Sequence, residues 1–240
     1  MKSKFLLGSA TALTVLVAAS TASTPVAAQA FSESQRSAIN YSVATIEPQQ
    51  TCEQVARHSG GEISYLKPRS VAAADGVPAH CRLTGMFTPE VAFEVNLPAN
   101  WNGRFYMFGN GGHAGEGLDD PGRAAQRATA LKSGFAVAQT NTGHDARSEP
   151  GASFGYNNQQ KLVDYAFRAV NLTASTAKVL AQEYYDRPVK YSYWNACSTG
   201  GRQGLMEAQR FPQDFDGVIA GAPVLDFGGK TVSGLWNGKA

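Results

Sequence analysis

Between Val91 and Ala222 the sequence switches repeatedly between two hydrophobic periods, and this switching constrains its fold more than any other feature. Val91, Phe93, Val95 and Leu97 alternate with Ala92, Glu94 and Asn96, the period of two of a half-buried strand ending at Pro98. Asn102-Gly103 signals a turn and Arg104 to Phe108 follows as a second strand, so the two are expected as a hairpin or as neighbours. Pro121 opens a helix over 121–132, Gly134 stops it, and Phe135 to Thr140 is a further apolar strand. Leu162, Tyr165, Ala166, Ala169 and Val170 fall at i, i+3, i+4, i+7 and i+8, one face of a helix that continues to about Tyr184. Val189 to Trp194 is the next strand, 200–210 a helix, and Val218 to Ala222 a buried strand. Strands alternating with helices imply an α/β chain, its sheet mostly parallel and its helices on the faces of the sheet. Residues 31–90 carry no comparable pattern and are expected to form an irregular lead-in.

The first residues read as an export signal. Lys2 and Lys4 precede an apolar run from Phe5 to Ala19, and Ala28-Gln29-Ala30 supplies a small-residue cleavage site, so the mature chain is expected to begin at Phe31. Gly8, Ser9, Thr11 and Thr14 interrupt the apolar run and no basic flank follows it, which argues against a membrane span. Removing 30 of 240 residues leaves 210, enough for one domain with a substantial core. A net charge of +2 and 17% charged residues give no electrostatic case for nucleic acid or a membrane surface, so a small or neutral partner is expected. A secreted or periplasmic destination permits disulfides. Of three cysteines, Cys52 and Cys81 lie in one N-terminal segment and are the natural pair. Cys197 is then left as a free thiol, one half of an intermolecular bond, or the partner of a missing piece.

Ser198 follows a strand and precedes a helix, with Ala196 two residues before it and Gly200 two after, the pattern A-x-S-x-G. Small residues there let strand and helix approach closely enough for a tight turn to expose the hydroxyl, the geometry of a nucleophile elbow, although an ordinary helix cap would look similar. An acyl-transfer serine also needs donors aimed at the developing oxyanion. The loop "GNGG" from Gly109 suits that need, and the N–H groups of Gly111 or Gly112 together with that of Thr199 are the candidates. Gly109, Gly111 and Ala114 also fit a dinucleotide fingerprint, but that requires a helix opening on the loop and an acidic residue ending the next strand, which instead ends "QTNTGH". His113 could touch substrate, although a loop-stabilising hydrogen bond suits it better; His144 could line the site, although a buried structural imidazole is the better reading. His58 and His80 have no partners that suggest a metal, and Glu116, Asp119 and Asp120 match no calcium loop and read as a solvated acidic turn. Asn171-Leu-Thr173 is a glycosylation sequon placed on a helix.

"NACSTGGRQG" with "AQRFPQDFDGVIAGAP", and "WNGRFYMFGNGG" with "TNTGHDA", resemble the nucleophile region and the upstream strands of the tannase and feruloyl esterase family, over roughly Cys52 to Asp226. The resemblance implies an α/β-hydrolase fold and a secreted or periplasmic serine esterase acting on a small-molecule ester of an aromatic acid such as gallate, ferulate or a terephthalate monoester. It also implies that Cys197 bonds a cysteine following the catalytic histidine. In that family the triad acid and histidine lie beyond a large lid, which carries a calcium site and most substrate contacts. This sequence has no histidine after Ser198, and "GGKTVSGLWNGKA" resembles the start of the lid. The chain is therefore expected to be the N-terminal part of such an esterase, with no cofactor of its own, or else a catalytically incompetent remnant that at most binds ligands.

Overall fold

The computed structural model describes residues 45–239, and the expected export signal lies outside them. Seven strands form one sheet: β1 (Ile63–Val71), β2 (His80–Phe87), β3 (Val91–Pro98), β4 (Arg104–Phe108), β5 (Ala136–Thr140), β6 (Tyr191–Cys197) and β7 (Gly217–Gly221). Their spatial order is β1-β2-β3-β5-β4-β6-β7. The helices are α1 (Cys52–Val55), α2 (Pro121–Lys132), α3 (Gln159–Val163), α4 (Ala169–Tyr185), α5 (Thr199–Arg210) and α6 (Phe227–Asn237), with a π-helical turn (Asp164–Arg168) joining α3 to α4.

The sheet is mixed. From β5 through β4 and β6 to β7 every pairing is parallel, as strand–helix alternation requires, but β1, β2, β3 and β5 pair antiparallel. The mostly parallel expectation thus describes only the half that carries Ser198. Its error lies in the lead-in, which is not irregular: it holds two strands of nine and eight residues. β1 gave no legible period because six of its nine residues are exposed, including Lys67, Pro68 and Arg69.

β3 and β4 are not neighbours either. β5 lies between them, Phe93 opposite Thr140 on one side and Met107 opposite Ala138 on the other. The turn itself is present, with Gly103 at φ +78° and the Arg104 N–H donating to Asn102 Oδ1, yet it carries the chain past a vacant place that β5 later fills. Nor is β3 half-buried, for Glu94 and Asn96 are as enclosed as its apolar residues. Arg127 of α2 and Arg82 of β2 cover that face and bond the two Glu94 oxygens at 2.7 and 2.8 Å. A buried carboxylate so paired tolerates poorly the loss of one partner.

On the other face, α4 buries Ala169, Val170, Ala174, Ala177, Leu180 and Ala181 against the sheet. Tyr185 stacks on Trp101 at 4.3 Å and donates its hydroxyl proton to the Pro98 carbonyl at 2.6 Å. Cys52 of α1 is disulfide-bonded to Cys81 of β2, the pairing expected from the sequence, across a separation of 29 residues. A loop of that size contributes roughly 3 to 4 kcal/mol in the chain-entropy account. Replacing both cysteines by alanine is expected to lower unfolding stability by about that much in urea, while native alkylation labels Cys197 alone. A labelled Cys52 in the native protein would contradict the pairing.

Candidate active site

β6 ends at Cys197 and α5 begins at Thr199, leaving Ser198 to turn the corner at φ 60°, ψ −122°. An L-residue holds such a conformation at a cost of about 1–3 kcal/mol, so the surroundings must impose it. They do so by close packing. A Cβ on Gly200 would overlap the Ala196 methyl and approach the Asn110 carbonyl to 3.1 Å, and one on Gly109 would lie 2.6 Å from the Gly200 Cα. The Ser198 N–H donates to the Gly221 carbonyl at 2.9 Å, and its own carbonyl accepts from Arg202 N–H at 3.1 Å, which starts the helix. The hydroxyl is thereby carried above the carboxyl ends of the parallel strands.

The Gly109–Gly112 loop is bound to α5 from both sides. Asn110 N–H donates to Gln203 Oε1 and Gln203 Nε2 donates to Asn110 Oδ1, both at 3.0 Å, while the Thr199 hydroxyl donates to the Gly112 carbonyl. Gly111 N–H is engaged by Glu116 at 2.6 Å. Gly112, at φ +50°, keeps its N–H clear of that brace. Thr199 is the first residue of α5, so its N–H has no acceptor within the helix, and Thr199 is 1% exposed.

His113, one residue after Gly112, sets its ring edge-on to Phe227 at 5.1 Å. His144 is 2% exposed and stacks on Phe154 at 4.0 Å, the buried structural imidazole that the sequence suggested. Burial holds it below the usual imidazole range, although Glu149 opposes the shift; neither ring nitrogen has a well-formed hydrogen bond, and the His113 and Thr142 backbones supply weaker contacts that favour protonation. None of the four histidines hydrogen-bonds Ser198 among the described residues. Cys197 is exposed and unbonded beside it.

Three features of the site escaped the sequence reading. Gln203 sits on the Gly200, Gly204 and Glu207 stripe of α5, and that spacing could have marked it as facing inward. The aromatic group of Phe154, Tyr165 and Phe227 gathers from segments far apart in the chain, and nothing local announced it. Arg202 lies over the Tyr165 ring at 4.7 Å and donates to the carbonyls of Tyr165 and Ala166, in the π-helical turn. Asn171, the sequon residue, is on α4 as expected, and its amide donates to Asp214 at 2.8 Å. The acidic turn is not merely solvated: Asp119 pairs with Arg82, Asp120 with Arg147, and Glu116 accepts from Asn110 and Gly111. No group of three or more His, Cys, Asp or Glu that could hold a metal ion occurs among the described residues.

Further along that stripe, Glu207 is 1% exposed and its carboxyl faces Asp214. Burial, then the Asp214 charge, pushes its pKa up to about 8, against an opposing pull from Lys178. The folded state thus holds this proton more tightly than the unfolded chain, whose ordinary value is 4.5. Its contribution is full below pH 4.5 and falls as pH rises toward 8, at roughly 1.4 kcal/mol per pH unit, an upper bound for the slope. Urea unfolding from pH 5 to 8 is expected to show Glu207→Gln gaining on the wild type as pH rises. Parallel stability curves would place the Glu207 proton elsewhere.

A model of the family described as tannase and feruloyl esterase matches residues 76–240. The chain belongs to that family. Among similar proteins, the probable feruloyl esterase B-2 of Aspergillus flavus is 43% identical over 137 residues, 57% of this chain and 25% of that protein. The mono(2-hydroxyethyl) terephthalate hydrolase of Piscinibacter sakaiensis is 34% identical over 184 residues, 70% of this chain and 30% of that one. The crystal structure of feruloyl esterase B from Aspergillus oryzae superposes with a TM-score of 0.58 at 31% identity, covering 72% of this chain and 37% of its own. The family match bears out the α/β-hydrolase fold, and the chain spans about a quarter of the length of the feruloyl esterase B-2 it matches.

Proposed function

We propose that Ser198 is the nucleophile of an exported carboxylic-ester hydrolase acting on esters of phenolic acids. The observation that carries this reading is the strained corner at Ser198, whose neighbour Thr199 opens α5 and donates its hydroxyl proton to the Gly112 carbonyl of the glycine loop. The amides of Gly112 and Thr199 are the oxyanion donors; Gly111, with its N–H spent on Glu116, braces the loop instead. The hydroxyl oxygen attacks the ester carbonyl, a histidine takes its proton, the alcohol leaves, and water releases the acid from the acyl-enzyme. The names of the similar feruloyl esterases and terephthalate-ester hydrolase support an aromatic acyl group. Export is supported by the Cys52–Cys81 disulfide and by the signal-like first residues. The exposed, unbonded Cys197 thiol leaves this corner open to a disulfide with a further cysteine, as the family resemblance implies. Treating the full-length gene product with a fluorophosphonate and mapping the adduct tests the assignment: the label is expected on Ser198, and label on another serine would refute it.

A further inference from the structure

We propose that the cavity between β1, the 72–78 turn and α2 binds a small monocarboxylic acid with an apolar body. The cavity holds about 350 Å³, at the lower end of the range for small-ligand sites. Val71, Val77 and Leu131 form apolar walls. Its rim is built rather than accidental. Ala74 and Val77 exchange both backbone hydrogen bonds, at 3.1 and 2.8 Å, around Asp75 at φ 53° and Gly76 at φ 75°, a tight turn that stands against the Lys132 side chain.

The charges select the ligand. Four cations line the cavity, Arg69, Arg82, Arg127 and Lys132. Arg82 and Arg127 are occupied by Glu94 and Asp119. Arg69 and Lys132 make no hydrogen bond or ion pair with another described residue, and Asp75 is the one carboxylate among the lining residues. One positive charge therefore remains uncompensated beside apolar walls, which matches one carboxylate on an aromatic or aliphatic body. His80 reports on this space. Its Nδ1 donates to the Pro78 carbonyl at 3.0 Å. Burial, then the guanidiniums of Arg127 and Arg82, hold its pKa below the usual range, while the Pro78 bond and Glu94 oppose that shift. His80 pairs with Pro98, at the end of the sheet opposite Cys197, so the cavity is separate from the Ser198 corner.

Calorimetric titration of the full-length protein with benzoate, benzamide and sulfate, with histidine-selective ¹³C NMR in parallel, tests the site. Benzoate is expected to bind, benzamide about ten-fold more weakly for want of the charge-assisted contact, and sulfate no better than benzamide. Benzoate should raise the His80 pKa, because an anion offsets the nearby guanidiniums, and Arg69→Gln with Lys132→Gln should abolish both effects. Both side chains are exposed, so the double variant keeps its fold. Equal binding of benzamide would remove the role of charge, and equal binding of sulfate would reduce the site to an inorganic-anion pocket. Benzoate binding that survives the double variant and leaves His80 unmoved would place the ligand elsewhere and overturn the proposal.

Discussion

Replacing Ser198 by alanine in the full-length gene product is expected to lower kcat for methyl ferulate or methyl gallate by about 10⁵- to 10⁶-fold, the order of loss when a triad serine is removed. The substitution deletes one oxygen at a position whose backbone is fixed by Gly221, Arg202 and the contacts of Gly200, so the corner keeps its shape. The oxyanion donors of Gly112 and Thr199 remain, and KM should change little. Ser198→Gly carries a second, independent expectation. Glycine occupies φ 60° without the penalty of a Cβ, so that variant should unfold about 1 kcal/mol later while being equally inactive. A nucleophile elbow predicts this opposition of activity and stability, whereas an ordinary helix cap predicts neither. Kinetics and urea unfolding of the two variants decide it, and an alanine variant within ten-fold of the wild type would exclude Ser198 as the nucleophile.

The second large effect concerns the base. Residues 31–240 are expected to hydrolyse the same esters far more slowly than an ordinary serine esterase with its base in place. His144 is stacked on Phe154 and buried, His113 meets Phe227, His58 pairs with Glu183, and His80 bonds the Pro78 carbonyl. A serine hydroxyl without a base stays protonated and is a poor nucleophile near neutral pH. What remains is the oxyanion hole and binding, on the order of 10³ to 10⁴ over water. Turnover near that of an ordinary esterase, abolished by Ser198→Ala, would show that His113 or His144 reaches the serine.

The strands and helices after residue 90 were legible because each buries one face, and burial writes a period into the sequence. α2 was bounded to the residue, since Pro121 and Gly134 act through backbone geometry alone. Adjacency was not legible: nothing local in β3 or β4 says that a strand beginning 28 positions after β4 will part them. The helix over 159–185 shows a subtler limit. A regular period puts Leu162 on the face of Ala169 and Val170, but the π-helical turn between them holds an extra residue per turn and rotates Leu162 away, leaving it 41% exposed. At the site, Ser198 and the glycine loop were readable from steric need. The Gln203 clamp went unread although the Gly200 and Gly204 spacing marked its inward face, because a glutamine in a helix is ordinarily a surface residue.

The two halves of the sheet differ in how far the chain must travel to close them. β1, β2 and β3 are joined by short connections, so their registers form with little loop-closure entropy. The pairing of Arg104 with Tyr191 spans 87 positions and must wait until α2, β5 and α4 have condensed between them. Contacts of such high sequence separation are slow to form. The antiparallel meander is therefore expected to form early, and the corner that holds Ser198 late, when β6 docks beside β4. Backbone strain imposed at that final docking need not be borne by any earlier species.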